Sequence, residues 1–169
     1  MRTLLAVLLA AFTLLCTAAA AAGVLELSPK VYENSDALWL NVRLEPDAEV
    51  LEALDAHIPL PFRLDRRCGG LHQFAELSLR LRPLRADYVL TLADASEQTW
   101  RLRAEALAAF RRLALPRPLP CGDAPAYLRV RLDPARLPAP LRLPALLAAA
   151  WHLDSGWVAA EVQVLGNPP

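Results

Sequence analysis

Apolar and polar positions alternate strictly from Ala37 to Leu44, with Leu38, Leu40, Val42 and Leu44 on one side and Trp39, Asn41 and Arg43 on the other. Period two over eight residues predicts a half-buried strand. The same alternation recurs over 60–66, 76–82, 87–93 and 126–133. Val24, Leu25 and Leu27 open a shorter strand ahead of Ser28-Pro29. Thr99 to Arg103 reads as another, with Trp100 and Leu102 inward, and Val158, Ala160, Val162 and Val164 suggest a closing strand. Pro61 lacks a ladder donor, so the strand over 60–66 is expected at an edge or irregular at its start. Turn-forming residues separate the runs: Asn34-Ser35-Asp36, Gly69-Gly70, Pro83-Leu84-Arg85 and Asp94-Ala95-Ser96. Two hairpins in succession predict an antiparallel meander.

Helical spacing interrupts this pattern three times. Asp47 is placed to cap a helix whose stripe is Val50, Leu51 and Leu54, ending near His57 before Pro59. A second helix is expected over Glu105 to Leu113, with Leu107 and Phe110 on its apolar side. Arg111 and Arg112 fall near its C-terminal end, where cations suit the dipole. A third is expected over Leu143 to Ala150, beginning at Pro144. Pro116, Pro118 and Pro120 favour an extended loop. The fold class that follows is mainly β: an antiparallel, immunoglobulin-like sandwich carrying two or three short helices. The alternative is an α+β domain with the helices on one sheet face.

Composition narrows the setting. The first residues have a charged start at Arg2, an apolar run over Leu4 to Leu15 and small residues over Ala18 to Ala22. That pattern predicts a secretory signal peptide over residues 1–22, cleaved between Ala18 and Gly23, ahead of a single β-rich domain over 23–169. Periplasmic localisation follows. The alternative is an uncleaved N-terminal segment anchoring the chain in the inner membrane, the one route by which the membrane enters this reading. Leu15 before Cys16 argues against lipidation. Basic and acidic residues balance at 18 each, so no basic field points to nucleic acid. After cleavage two cysteines remain, Cys68 and Cys121. An even pair in an exported chain can form a disulfide, closing a loop of about 53 residues and contributing roughly 4 kcal/mol, or remain as two thiols.

Catalytic chemistry finds little purchase. His57, His72 and His152 are scattered, with no CxxC, HxxxH or HExxH spacing, so no metal or other cofactor is expected. Asp154-Ser155-Gly156 lacks a nucleophile elbow, and Ser155 and Gly156 read as a turn. Glu52 and Asp55 lie one helical turn apart on what reads as a solvated face. Two outward arginine rows, Arg80 with Arg82 and Arg129 with Arg131, would form an anion-binding strip if their strands were neighbours.

Two longer elements carry a resemblance. ALDAHIPLPFRLD, from Ala53 to Asp65, is similar to an EAL-x-x-GIPL-x-F element, with His57 where glycine is usual. LDPARLPAPLRLPAL followed by WHLDSGW is similar to an LD-x-x-x-LP-x-PL and DW-x-L-x-S-x-W ending, with Ala150-Trp151 in place of Asp-Trp. An aromatic run expected after the first element is replaced by Asp65 to Gly70. On these residues the chain resembles the domain-of-unknown-function family DUF4390. The resemblance implies a small exported bacterial protein and a partner in the envelope. Members often stand beside a membrane sensor kinase of the nitrogen-regulation type, which further implies a link to signalling.

The function expected is therefore non-enzymatic, an accessory or protein-interaction module of the cell envelope. The rival is an envelope hydrolase with a site assembled across loops. The segment Pro138 to Trp157 is expected to act as a clasp closing a sheet edge or one end of the core. Leu141, Leu143, Leu146 and Leu147 would form its apolar face, and Trp151 and Trp157 would be its large buried anchors. The competing reading makes Trp151, Asp154 and Trp157 a recognition surface for a partner.

Overall fold

The computed structural model describes residues 23–32, 37–116 and 125–163. It is mainly β, with two sheets packed on one shared core and three short helices. The smaller sheet has the order β10-β1-β2-β7, from β1 (Val24–Tyr32), β2 (Ala37–Glu45), β7 (Leu113–Pro116) and β10 (Glu161–Gln163). The larger has the order β6-β5-β4-β3-β8-β9. It comprises β3 (Leu60–Cys68), β4 (Leu71–Arg82), β5 (Asp87–Thr91), β6 (Glu97–Trp100), β8 (Tyr127–Leu132) and β9 (Val158–Ala159). Every pairing is antiparallel except that of β10 with β1. The alternation read in the sequence sets the inner faces. Leu25, Leu27, Leu40, Val42 and Leu44 come from one sheet, and Phe62, Leu64, Leu77, Leu79, Leu128 and Val130 from the other.

Several elements differ from their expected course, each for a local reason. Pro61 does not place β3 at an edge: β3 is central, between β4 and β8. Pro61 is its second residue, and the pairing with β8 begins only at Phe62, so no donor is missed there. β4 begins at Leu71, five residues earlier than the alternation indicates, because the Gly69-Gly70 turn lets it pair along the whole of β3. β6 ends at Trp100. Leu102 is not inward but 60% exposed at the start of α2 (Arg103–Ala109), which is followed by a 3-10 turn over Phe110–Arg112. β7 was not anticipated, since its pairing partner β2 lies some 75 residues earlier in the chain.

The first helix, α1 (Ala48–Asp55), follows the sequence closely. Asp47 accepts a hydrogen bond from the Glu49 amide (3.1 Å), and Val50 and Leu54 are fully buried. Its end explains the usual glycine in the family element. His57 has a φ of 65°, with its amide donating to Leu54 O (3.0 Å) and the Ile58 amide to Ala53 O (2.9 Å). That hydrogen-bonded helix end favours a left-handed residue after the cap, the conformation glycine adopts most readily.

The last helix, α3 (Ala139–Leu147), begins four residues before the expected start, with Pro140 in its first turn and Pro144 inside it. It buries Ala145 and packs Leu141 part-buried against the core, but leaves Leu143, Leu146 and Leu147 exposed, so of the expected leucine face only Leu141 reaches the core. Among the described residues, no helix is long and apolar enough to cross a membrane.

Candidate functional site

The outward side of the larger sheet carries the most concentrated polar chemistry. Period two on β3 sends Arg63, Asp65 and Arg67 outward. The register sets them beside Glu76, Phe74 and His72 of β4, and beside Arg131, Arg129 and Tyr127 of β8. Asp65 is 3% exposed, the one buried charged side chain of the described core. It accepts from Arg63 Nε (2.8 Å) and Arg131 Nε (3.2 Å), and His72 Nε2 lies 3.4 Å away. The charge is tolerated there because cations surround it. The Arg63 guanidinium also stacks over the Phe74 ring, 4.3 Å from its centroid.

The Asp154-Ser155-Gly156 turn runs beside β8. Asp154 binds Arg129 through both carboxylate oxygens (Nε to Oδ1, 2.8 Å) and accepts from the Gly156 amide (2.9 Å). Arg129 holds the Asp154 carboxyl below the ordinary carboxylate range, the Gly156 amide adds to this, and partial burial opposes it. Ser155 donates its amide to Val130 O (2.9 Å) and accepts the Val130 amide on Oγ (2.9 Å), while the Leu132 amide donates to Leu153 O. Gly156 takes a φ of 66°, as its place after Asx and Ser requires. The chain then forms β9 beside β8 and, past Ala160, crosses to pair with β1 as β10.

The two tryptophans flanking this turn have different surroundings. Trp151 is 5% exposed, on a 3-10 turn against α1, and its Nε1 donates to Glu49 Oε1 at 2.7 Å. Trp157 is 40% exposed and meets His72 edge-on, centroids 6.0 Å apart. With Arg67, Gly69, Gly70, Pro125 and Tyr127 it lines a cavity of about 410 Å³. Phe74 and Tyr127 are also exposed.

The structure thus brings Asp154 and Trp157 to one face and directs Trp151 to the core. Cys68 is buried at the end of β3 beside the same cavity; Cys121 lies outside the described residues. The arginine rows do not combine, since β3 separates β4 from β8. Each member is answered locally: Arg80 by Glu97, Arg82 by Asp87, Arg129 by Asp154 and Arg131 by Asp65. Asp55 is not merely solvated, for it accepts from Tyr88 Oη (2.9 Å) and pairs with Arg103. Burial, then Asp55, pushes the Tyr88 hydroxyl above its ordinary range. Among the described residues, no three His, Cys, Asp or Glu side chains converge as a metal site. Sequence reasoning missed Asp65, Arg67, His72, Phe74 and Tyr127. The one available signal was a run of polar and aromatic residues on the outward phase of three strands.

The family described as "Domain of unknown function (DUF4390)" matches residues 73–161, more than half of the chain. The chain belongs to this family. The match takes in the LP-x-PL and WHLDSGW elements and the β4–β8 part of the face, whereas the element at Ala53 to Asp65 lies before it. Comparison with curated proteins gives no match, and comparison with solved structures gives none either.

Proposed function

We propose that this DUF4390 protein is a non-catalytic, exported accessory module of the cell envelope that binds a protein partner through the outward face of its larger sheet. The observation carrying this reading is the exposed pair Trp157 and Tyr127 around Arg67, with exposed Phe74 under Arg63 further along the same face, beside a frame of ion pairs centred on Asp65 and Asp154. Aromatic rings and an arginine on a rigid support are the side chains that dominate protein interfaces. Arg67 has no ion pair among the described residues, so a partner carboxylate is its natural complement. Trp151, Leu153 and Ser155 serve as the clasp that holds Trp157 in place. The partner is an envelope protein, with a membrane sensor kinase as the first candidate given the company that family members keep.

The charged start, apolar run and small residues before Gly23 support export to the periplasm. In that oxidising setting we propose that Cys68 pairs with Cys121, a reading supported by the burial of Cys68 and by its being engaged rather than free. Thiol titration of the denatured, unreduced protein should then find no free thiol after leader removal; two per chain would end the pairing. Affinity capture from envelope extracts, with Trp157→Ala beside the native chain, tests the main reading. A partner retained equally by both proteins would overturn it.

A further inference from the structure

The outward face of the smaller sheet is built differently, and independently of the reading above. β1 presents Glu26, Ser28 and Lys30 there, and β2 presents Trp39, Asn41 and Arg43 directly opposite them. Arg43 is occupied by Glu45 (2.9 Å) and Glu26 (3.5 Å). The 3-10 turn after α2 adds Arg111 and Arg112. Its fixed position comes from its neighbours: Phe110 is fully buried edge-on against Phe62, centroids 5.1 Å apart, and Leu113 is buried and paired with Leu40. The backbone of Arg111 and Arg112 is therefore fixed by anchors on both sides, and both exposed side chains line the groove over the sheet. Neither has a carboxylate partner among the described residues.

The arginines wall a cavity of about 250 Å³ with Lys30, Trp39, Asn41 and Ser28. A second cavity of about 610 Å³ adjoins this groove, sharing Ser28, Asn41 and Arg111 and lined as well by Glu26 and Arg43, which pair with each other (3.5 Å). Like charges held together without a counter-ion raise the local potential and favour an anion between them. Guanidinium groups suit phosphate oxygens by shape as well as charge. Trp39, 41% exposed, offers a ring face beside them, with the Asn41 amide and Ser28 hydroxyl as hydrogen-bonding groups.

We propose that this groove is a binding site for a phosphorylated sugar, its phosphate on Arg111 and Arg112 and its ring on Trp39. Glucose 1-phosphate is the probe, titrated against the protein by calorimetry, with glucose, inorganic phosphate and phosphatidylglycerol vesicles as comparison arms. Saturable binding of glucose 1-phosphate is expected, tighter than that of inorganic phosphate and absent with glucose. The exposed double variant Arg111→Ala/Arg112→Ala should weaken it about tenfold or more, since hydrogen bonds to charged groups are worth that much. Trp39→Ala should reduce the affinity to that of inorganic phosphate. Arg85→Ala, on the β4–β5 turn of the other sheet, should bind as the native chain does. No saturation, equal binding by the double variant, equal binding of glucose, or retention on vesicles without binding of the soluble probe would each overturn the site.

Discussion

Trp151 and Trp157 stand six residues apart in one short motif, yet they belong to different parts of the molecule. Trp151 is 5% exposed, turned under α1 with its indole N–H on Glu49; Trp157 is 40% exposed, edge-on to His72 on the outward face of the larger sheet. Between them Leu153 is buried and Asp154 and Ser155 are tied to β8. A clasp and a contact surface are therefore not rival readings of the same residues. The apolar half of the segment fixes the backbone, and the polar turn delivers the second ring outward in a defined place.

Removing the anchor should have the largest effect. Trp151→Ala is expected to destabilise the fold by about 3–5 kcal/mol, as large-to-small changes of buried aromatic residues do. Urea denaturation measures it. Trp151→Phe should recover most of the loss and leave about 1 kcal/mol for the missing bond to Glu49. Wild-type stability in the alanine variant would show that Trp151 is not an anchor.

The turn between the rings should have a smaller, pH-dependent effect. Asp154→Ala removes the pair with Arg129 and the bond from the Gly156 amide. Because side chains on both sides are about one-third exposed, the loss at neutral pH should be only about 1 kcal/mol. The carboxyl's pKa is depressed in the folded state, so its contribution is present above the unfolded value, near pH 4. It is lost as pH falls through the lower folded value. Native and variant stabilities should therefore converge in acid, and a difference that grows there would refute the pairing.

Part of this contrast was legible in the sequence. The strands over 37–44, 76–82 and 126–133 announce themselves, because one polar and one apolar face leave a period-two record. So does α1, with Asp47 at its start. The burial of Asp65 was not legible: its neighbours Arg131 and His72 are contributed by other strands, and register is not written in either strand alone. Nor was the exposure of Leu143, Leu146 and Leu147, since helical spacing predicts an apolar face without saying what lies opposite. The same limit hid the difference between the two tryptophans.

The other side of the anchor offers a gain. α1, which Trp151 packs against, ends at His57 with a φ of 65°. His57→Gly relieves a left-handed residue at about 1–2 kcal/mol, less roughly 0.5–1 kcal/mol for glycine's added freedom when unfolded. A net stabilisation of about 0.5–1 kcal/mol should appear in the same urea titration. A loss instead would mean that the histidine ring makes a contact worth more than the strain.

The smallest stability effect, and the sharpest test of the contrast, belongs to Trp157. Its ring touches His72 at an edge and is open on the cavity side, so Trp157→Ala should change stability by no more than about 0.5 kcal/mol, in the range of ordinary surface substitutions. Its effect on binding should be of another order. An exposed aromatic at the centre of an interface commonly accounts for 2 kcal/mol or more, about thirtyfold in Kd. Tyr127→Ala, at the same cavity, should lower affinity too, whereas Trp39→Ala, equally exposed on the opposite sheet, should leave partner binding intact. The three variants can be compared in one envelope capture with urea midpoints measured in parallel. If Trp157→Ala unfolds as readily as Trp151→Ala, both rings are anchors and the outward face has no separate role. If it keeps both stability and partner, the face is a solvated surface and the partner binds elsewhere.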